Sequence, residues 1–208
     1  MEEAAPEPAP ARQSMAIAGL TGSLTPREAH AALDPRMQTF ANCFHEHGTG
    51  SVRGLGGDVT LHIVVNADGS VRTAFPVDST VGHLDVERCL SDVATATRFP
   101  RPRGGGEAVL TWPISMDPPT DVRHPTTWDA SRVANVLERN RETVLEACRP
   151  EGEGGIQVTA YTRSGRVIVA GASAHDESSS AALECVVERV RSWSMPPTRR
   201  TAKVTFQL

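Results

Sequence analysis

The chain has 208 residues, of which 39% are hydrophobic and 4% aromatic, which suits two small domains with few aromatic side chains in their cores. Its formal net charge of -4 excludes recruitment of nucleic acid by the field of the whole molecule. No stretch approaches the roughly 18 to 20 apolar residues of a membrane span, so we expect membrane contact only through an anchor or a larger parent chain.

The first segment, residues 1–16, is rich in proline, alanine and glutamate and lacks an apolar period. This composition predicts a disordered, extended tether. Met1 is followed by Glu2 and Glu3, whereas an export signal opens with basic and then apolar residues. Either the protein is therefore cytosolic, or an export signal or lipid anchor is missing from this chain, and we expect the second.

A first α/β unit is predicted over residues 17–118. A helix ends at Cys43, a turn at residues 66–69 reverses the chain, a second helix over residues 84–97 carries Cys89, and a last strand covers residues 109–112. In the strand before the turn, four apolar residues alternate along the chain, Val59, Leu61, Ile63 and Val65. The unit therefore reads as helix, hairpin, helix and strand.

A second, diverged unit is predicted over residues 119–208, with its boundary at Pro119 in a proline-rich linker. Its first helix runs from about residue 129 to Cys148, and its second helix begins near residue 180 and carries Cys185. A proline stands eleven residues after the second cysteine in both units, at Pro100 and Pro196. The chain is thus expected to be an α+β protein of two tandem units, each with helices on one face of a small sheet and the other face or an edge open.

The four cysteines allow three disulfide pairings. The repeat selects Cys43 with Cys89 and Cys148 with Cys185, because any other pairing would give the two units different topologies. The alternative is four buried free thiols in a cytosolic protein.

Several motifs resemble the AgmX/PglI C-terminal domain family, which is similar to the TonB C-terminal fold. They are Cys-Phe at 43–44, Gly-Gly at 56–57, Asn-Ala-Asp-Gly-Ser-Val at 66–71, Glu-Arg-Cys-Leu at 87–90 and Arg-Phe-Pro-Arg-Pro-Arg-Gly-Gly-Gly at 98–106. The resemblance covers residues 17–116, while residues 126–208 match only through the internal repeat. It implies two TonB-like interaction units in a periplasmic or outer-membrane-associated protein of myxobacteria or their relatives, linked in several cases to gliding motility.

Residue patterns for catalysis or metal binding are sparse. Cys43, His45 and His47 form a possible metal-binding set, but a disulfide would consume the thiolate and the second unit has no equivalent histidines. Residues 178–180 are interpreted as a helix start, and Asp176 and Glu177 as solvated loop carboxylates. We therefore expect no catalytic residue, metal or cofactor.

Function is predicted from the last strand of each unit. An open strand edge there would accept an extended peptide of an envelope protein by strand addition. The edge residues are Val109, Leu110, Trp112, Val204 and Phe206. Basic residues flank both strands, either as a solvated rim or as contacts to an acidic partner: Arg98, Arg101 and Arg103 in the first unit, and Arg199, Arg200 and Lys203 in the second. The alternative functions are a structural scaffold pair in an envelope assembly and, third, a small metal-binding protein or hydrolase.

Overall fold

The computed structural model describes residues 17–19, 21–48, 50–118 and 120–208. The predicted tether over residues 1–16 and the predicted boundary residue Pro119 lie outside the described residues. Within these ranges the chain forms two four-stranded sheets with helices packed on them, which confirms the α+β class. None of the described helices combines the length and the apolar character needed to cross a membrane.

The first sheet has the strand order β1-β4-β2-β3, and all of its neighbouring strands are antiparallel. A 3-10 turn at Asp34–Arg36 joins the first two helices, and a π-helical turn at Phe44–Gly48 follows the second. In chain order the elements are β1 (Ile17–Gly19), α1 (Pro26–Leu33), α2 (Met37–Cys43), β2 (Gly57–Val65), β3 (Val71–Ser79), α3 (Leu84–Thr95) and β4 (Ala108–Met116).

The second sheet has the order β5-β8-β6-β7, in which β5 runs parallel to β8 and the other pairs are antiparallel. In chain order its elements are β5 (Thr126–Trp128), α4 (Ala134–Cys148), β6 (Ile156–Arg163), β7 (Arg166–Ala174), α5 (Glu177–Ser180), α6 (Leu183–Arg191) and β8 (Ala202–Gln207).

The predicted succession of helix, hairpin, helix and strand is confirmed in both units, with local differences. The helix expected from about residue 129 opens with a 3-10 turn at Ala130–Val133, because the Asp129 side chain accepts a hydrogen bond from the Ser131 N–H and fixes that turn. The helix expected near residue 180 is divided into α5 and α6. The short strands β1 and β5 were not predicted as strands.

The two hairpins are tied to later loops by equivalent hydrogen bonds. Phe99 donates its N–H to the Gly69 carbonyl, and Met195 donates to the Gly165 carbonyl, both at 2.9 Å. Gly69 and Gly165 have φ values of +88° and +77°, a region that favours glycine. A Cβ at Gly69 would also lie 2.2 Å from the Phe99 carbonyl oxygen. The residue before each shared proline therefore docks in the same way, which supports the internal repeat.

Both predicted disulfides are confirmed. Cys43–Cys89 joins the end of α2 to α3, and Cys148–Cys185 joins the end of α4 to α6, each with a Cα–Cα distance of 5.6 Å. All four cysteines are consumed, which rules out the free-thiol alternative. Disulfides persist in oxidising compartments, so the two bonds fit an extracytoplasmic protein.

The first unit covers the helix-free face of the second sheet. Val158 and Ala160 of β6 belong to the core that β6 shares with α6, whereas Tyr161 is fully buried on the other face against Val52 and Leu55. The Tyr161 hydroxyl donates to the Gly56 carbonyl at 3.3 Å. Of the two expected alternatives, an open face or an open edge, the open face is therefore wrong for the second sheet, because a loop of the first unit packs there.

The edge strands of the two sheets, β3 and β7, lie against each other without forming one continuous sheet. Phe75 of β3 belongs to the hydrophobic core of the second unit. Arg88 of α3 pairs with Glu184 of α6 at 2.7 Å, and Arg72 pairs with Glu177. The two units are consequently joined through shared apolar packing and ion pairs.

Candidate functional site

The predicted edge residues lie in β4 and β8, which are partly interior strands. β1 pairs with β4 through Leu110, so Val109 and Leu110 have strand neighbours on both sides. β5 pairs with β8 through Val204, which is likewise flanked on both sides. The open-edge prediction is therefore wrong for these three residues, because the short strands β1 and β5 occupy the expected edge.

The side chains of Trp112 and Phe206 also have core positions. Trp112 is 6% exposed and meets the His30 ring edge-on, with ring centroids 4.9 Å apart. Phe206 is 3% exposed and stacks on Trp193 at 5.7 Å. At these positions only the backbone is available to an added strand.

Beyond Leu110, no described strand pairs with β4 on the side away from β2. Pro113 lies in this stretch, opposite Thr60 of β2. Because proline has no N–H to donate to a ladder, we infer that its nitrogen faces the outer side. Backbone orientation alternates along a strand, so the N–H and C=O of Ser115 face the same side. The outer edge of β4 therefore presents the Ser115 backbone pair and the Pro113 carbonyl.

An apolar groove lies beside this edge, between α2 and the end of β4, with a volume of about 310 Å³. We call it the β4 groove. Met37 is 43% exposed, and among the large apolar side chains whose burial the structure describes only Ile168 is comparably exposed. The apolar side chains that line the groove are Met37, Phe40, Ala41, Phe44, Ile114 and Met116. An extended peptide paired with Ser115 would lie next to this apolar surface.

The predicted basic residues fall into two separate groups. Arg103 pairs with Glu28 at 3.1 Å beside the first turn of α1, and Arg101 is exposed near it in the chain. Arg199 and Arg200 follow Thr198, whose carbonyl accepts the Ser164 N–H in the turn between β6 and β7. Arg199 and Arg200 line a cleft that does not include Arg101 or Arg103.

Lys203 does not belong to a solvated rim. Its Nζ donates to the Gly56 carbonyl at 2.8 Å, and its ammonium lies 5.6 Å from the centre of the Tyr161 ring. Burial lowers the pKa of Lys203. Lys203 therefore joins the two units, because strand β8 directs its side chain onto the covered face of the second sheet.

The cleft at Arg199 and Arg200 has a volume of about 520 Å³ and is called the arginine cleft. Its walls are formed by the loop at 50–53, the linker at 123–126, the hairpin of the second sheet and residues 199–201. Its basic side chains are Arg53, Arg123, His124, Arg163, Arg199 and Arg200. Of these, only Arg199 and Arg200 were predicted from the sequence, because the other residues come from distant segments that only the packing of the units brings together.

The possible metal-binding set at Cys43 is incomplete. The Cys43 sulfur is bonded to Cys89, so no thiolate is available as a ligand. His45 and His47 lie in the π-helical turn after α2. In the parts of the chain that the structure describes, no group of three or more His, Cys, Asp or Glu side chains is placed to hold a metal ion.

Asp176 has a structural role at the start of α5. Its carboxylate accepts hydrogen bonds from the Ser178 hydroxyl and the N–H groups of Ser179 and Gly154, at 2.8, 2.8 and 2.9 Å. These bonds, led by the one from Ser178, lower the pKa of Asp176 to about 2. Residues 178–180 form a helix start as predicted, while Asp176 caps it and is more than a solvated loop carboxylate.

Glu87 is the buried carboxyl group at the junction of the units, with 2% exposure. It lies on α3 and accepts hydrogen bonds from the Ser79 hydroxyl at 2.5 Å, the Gly82 N–H at 3.2 Å and the Ala172 N–H of β7 at 3.0 Å. Burial raises the pKa of Glu87 to about 7 despite these bonds. The sequence contains one indication that Glu87 is buried: the equivalent position in the second unit, two residues before Cys185, holds the apolar Leu183.

Comparisons with protein-family models, with curated proteins and with solved structures find no match to the chain. The resemblance to the AgmX/PglI family therefore stays a prediction from its motifs. What the chain does is inferred from its own geometry, namely the β4 groove, the arginine cleft and the joined units.

Proposed function

We propose that the chain is a non-catalytic interaction module of the cell envelope that binds an extended peptide segment of an envelope protein by strand addition to β4. The observation that supports this proposal is the register of β4, in which Pro113 lies opposite Thr60 and from which we infer that the Ser115 backbone faces outward beside the apolar β4 groove. Strand addition needs both features, because backbone hydrogen bonds provide affinity and side-chain pockets provide specificity.

The site favours a particular peptide. Pro113 offers a carbonyl but no N–H, so an added strand gains fewer backbone bonds than at an uninterrupted edge. The β4 groove must supply the remaining affinity through apolar contact with Met37 and Phe44. The preferred ligand is accordingly an extended segment with apolar, β-branched side chains at alternate positions.

The cellular setting of the proposal has two sources. The disulfides fit an oxidising, extracytoplasmic compartment. A periplasmic or outer-membrane-associated location, a TonB-like role and a link to a motility machine are what the resemblance to the AgmX/PglI family adds.

A peptide-binding assay tests the site. A fluorescein-labelled heptapeptide of alternating valine and threonine would be titrated with the full chain and followed by fluorescence polarisation. Ser115→Pro removes the backbone donor, whereas Ser115→Ala keeps it and removes only the side-chain bond from Ser115 to Asp58. We expect at least tenfold weaker binding to Ser115→Pro and near-native binding to Ser115→Ala. A heptapeptide with a central proline should not bind.

Amide hydrogen exchange provides the second readout. Strand addition should slow exchange of the Ser115 amide when the peptide is present, because that N–H gains an acceptor. Equal binding by a folded Ser115→Pro variant, or peptide binding without protection at Ser115, would contradict strand addition at β4.

A scaffold role is the second candidate, and the joined units favour it. Phe75 of the first unit lies in the core of the second, and Glu87 bonds to β7. A scaffold would depend on this rigid pairing and would show no affinity for the heptapeptide at β4.

A further inference from the structure

We propose that the arginine cleft is a second binding site, separate from the β4 groove, that holds an acidic peptide segment. The segment would carry Asp or Glu carboxylates around one apolar residue. This site exists only in the joined chain, because its walls come from the first unit, the linker and the second unit.

The positive charge of the cleft is not neutralised within the described protein. Five arginines line it, none of the described lining residues is acidic, and none of the five forms a salt bridge with a described residue. Among the described arginines outside the cleft, only Arg72, Arg88, Arg98 and Arg103 have carboxylate partners, so the cleft is distinguished by the grouping of its five arginines in one place. Gathering like charges in one cleft of a chain with net charge -4 is unfavourable unless an anion binds there.

Hydrogen bonds hold the walls of the cleft in place. The Ser51 hydroxyl donates to the Gly48 carbonyl at 2.7 Å, and the Thr126 N–H donates to the Thr201 carbonyl at 3.0 Å. The Thr198 hydroxyl donates to the Arg200 carbonyl at 2.8 Å. These bonds fix the backbone beneath the arginines, so a ligand meets a cleft that is already formed and less ordering entropy is lost on binding.

The shape and lining favour a peptide over a small anion. The five arginines line a cleft of about 520 Å³, which is larger than one phosphate or sulfate ion would fill. Ile168, with 39% of its surface exposed, lines the same cleft and offers an apolar contact that an inorganic anion cannot use. Carboxylates suit the planar guanidinium fork, which can hold them through two parallel hydrogen bonds.

The probe is a fluorescein-labelled peptide of glutamates around a central leucine, titrated with the full chain and followed by fluorescence polarisation. Its affinity should fall steeply as salt rises from about 0.05 to about 0.5 M, because exposed charges are screened. We expect at least tenfold weaker binding to Arg163→Glu and to Arg199→Glu, and weaker binding to Ile168→Ser. A lysine-for-glutamate version of the peptide should not bind.

Arg141→Glu is the matched control, since Arg141 is exposed on α4 outside the cleft and the charge change is the same. It should alter the affinity by less than twofold, and so should Ser115→Pro. If folded Arg163→Glu and Arg199→Glu bound the peptide as tightly as the wild type, the proposal would be overturned. It would also be overturned if Arg141→Glu lost as much affinity as these two variants, because the net charge of the protein alone would then explain the binding. Loss of binding in Ser115→Pro would show that the acidic peptide binds at β4 instead. Full displacement of the peptide by inorganic phosphate carrying the same total charge would show that the cleft is a site for small anions.

Discussion

At the scale of single residues, Glu87 links the two units where their sheets meet. Its carboxyl group fills the space beside Gly171, where a Cβ would lie 2.2 Å from Oε2, and it accepts the Ala172 N–H. Removing the side chain would leave three buried donors without their acceptor, each at a cost of about 1–3 kcal/mol.

Glu87 should make stability depend on pH. Its pKa rises from 4.5 to about 7 on folding, so between these values the folded protein keeps a proton that the unfolded chain has released. The free energy of unfolding should therefore be highest below pH 4.5 with respect to this group and should fall as the pH rises toward 7. Glu87→Gln should remove this slope, which urea unfolding at several pH values would measure.

The difference between wild type and Glu87→Gln is the informative quantity. Burial lowers the pKa of His62 and of His83, and these groups change stability in the opposite direction with pH. Burial, with a smaller contribution from the Glu87 charge, raises the pKa of Tyr161 to about 12, so Tyr161 does not contribute in this window. If the free energy of unfolding of Glu87→Gln depended on pH as in the wild type, the pKa of Glu87 would be the same in the folded and unfolded protein.

At the scale of elements, each disulfide ties the two helices of its unit together. Cys43 and Cys89 are separated by 46 residues, and Cys148 and Cys185 by 37. Because the loss of unfolded-chain entropy grows slowly with loop length, the two bonds should stabilise the protein by similar amounts, about 4 kcal/mol each.

Paired serine substitutions test this equality. Cys43→Ser with Cys89→Ser, and separately Cys148→Ser with Cys185→Ser, should lower the free energy of unfolding by amounts that agree within about 1 kcal/mol. Urea unfolding would measure both, with the wild-type protein under non-reducing conditions as reference. A large loss for one pair and none for the other would show that the bonds act through local packing.

The elements show which parts of the fold the sequence could predict. The strand at Val59–Val65 and the cysteine-bearing helices follow local periodicity, which is visible in one segment alone. β1 and β5 are three residues long, too short for a period, and β5 pairs in parallel through contacts with β8. The arginine cleft could not be predicted for the same reason, since Arg53 and Arg163 come to line one cleft only through tertiary packing.

At the scale of the whole molecule, the two units should unfold as one. Phe75 belongs to the core of the second unit, and Tyr161 of the second is buried by the loop of the first. Proteolytic cleavage within residues 117–125 should therefore yield fragments that do not refold separately. Calorimetry of the intact chain should show a single transition whose calorimetric and van't Hoff enthalpies agree. Two independently stable fragments would contradict this and favour separate modules.

The pair formed by Arg88 and Glu184 has a consequence for the origin of the chain. Each residue immediately precedes the second cysteine of its unit, so the two are equivalents in the repeat, and they contact each other at 2.7 Å. In a symmetric dimer, equivalent residues contact each other in this way where they lie on the twofold axis. In a homodimer of identical halves, Arg88 would face another Arg88 and repel it. The single chain can carry opposite charges at these two equivalent positions, which two identical halves could not.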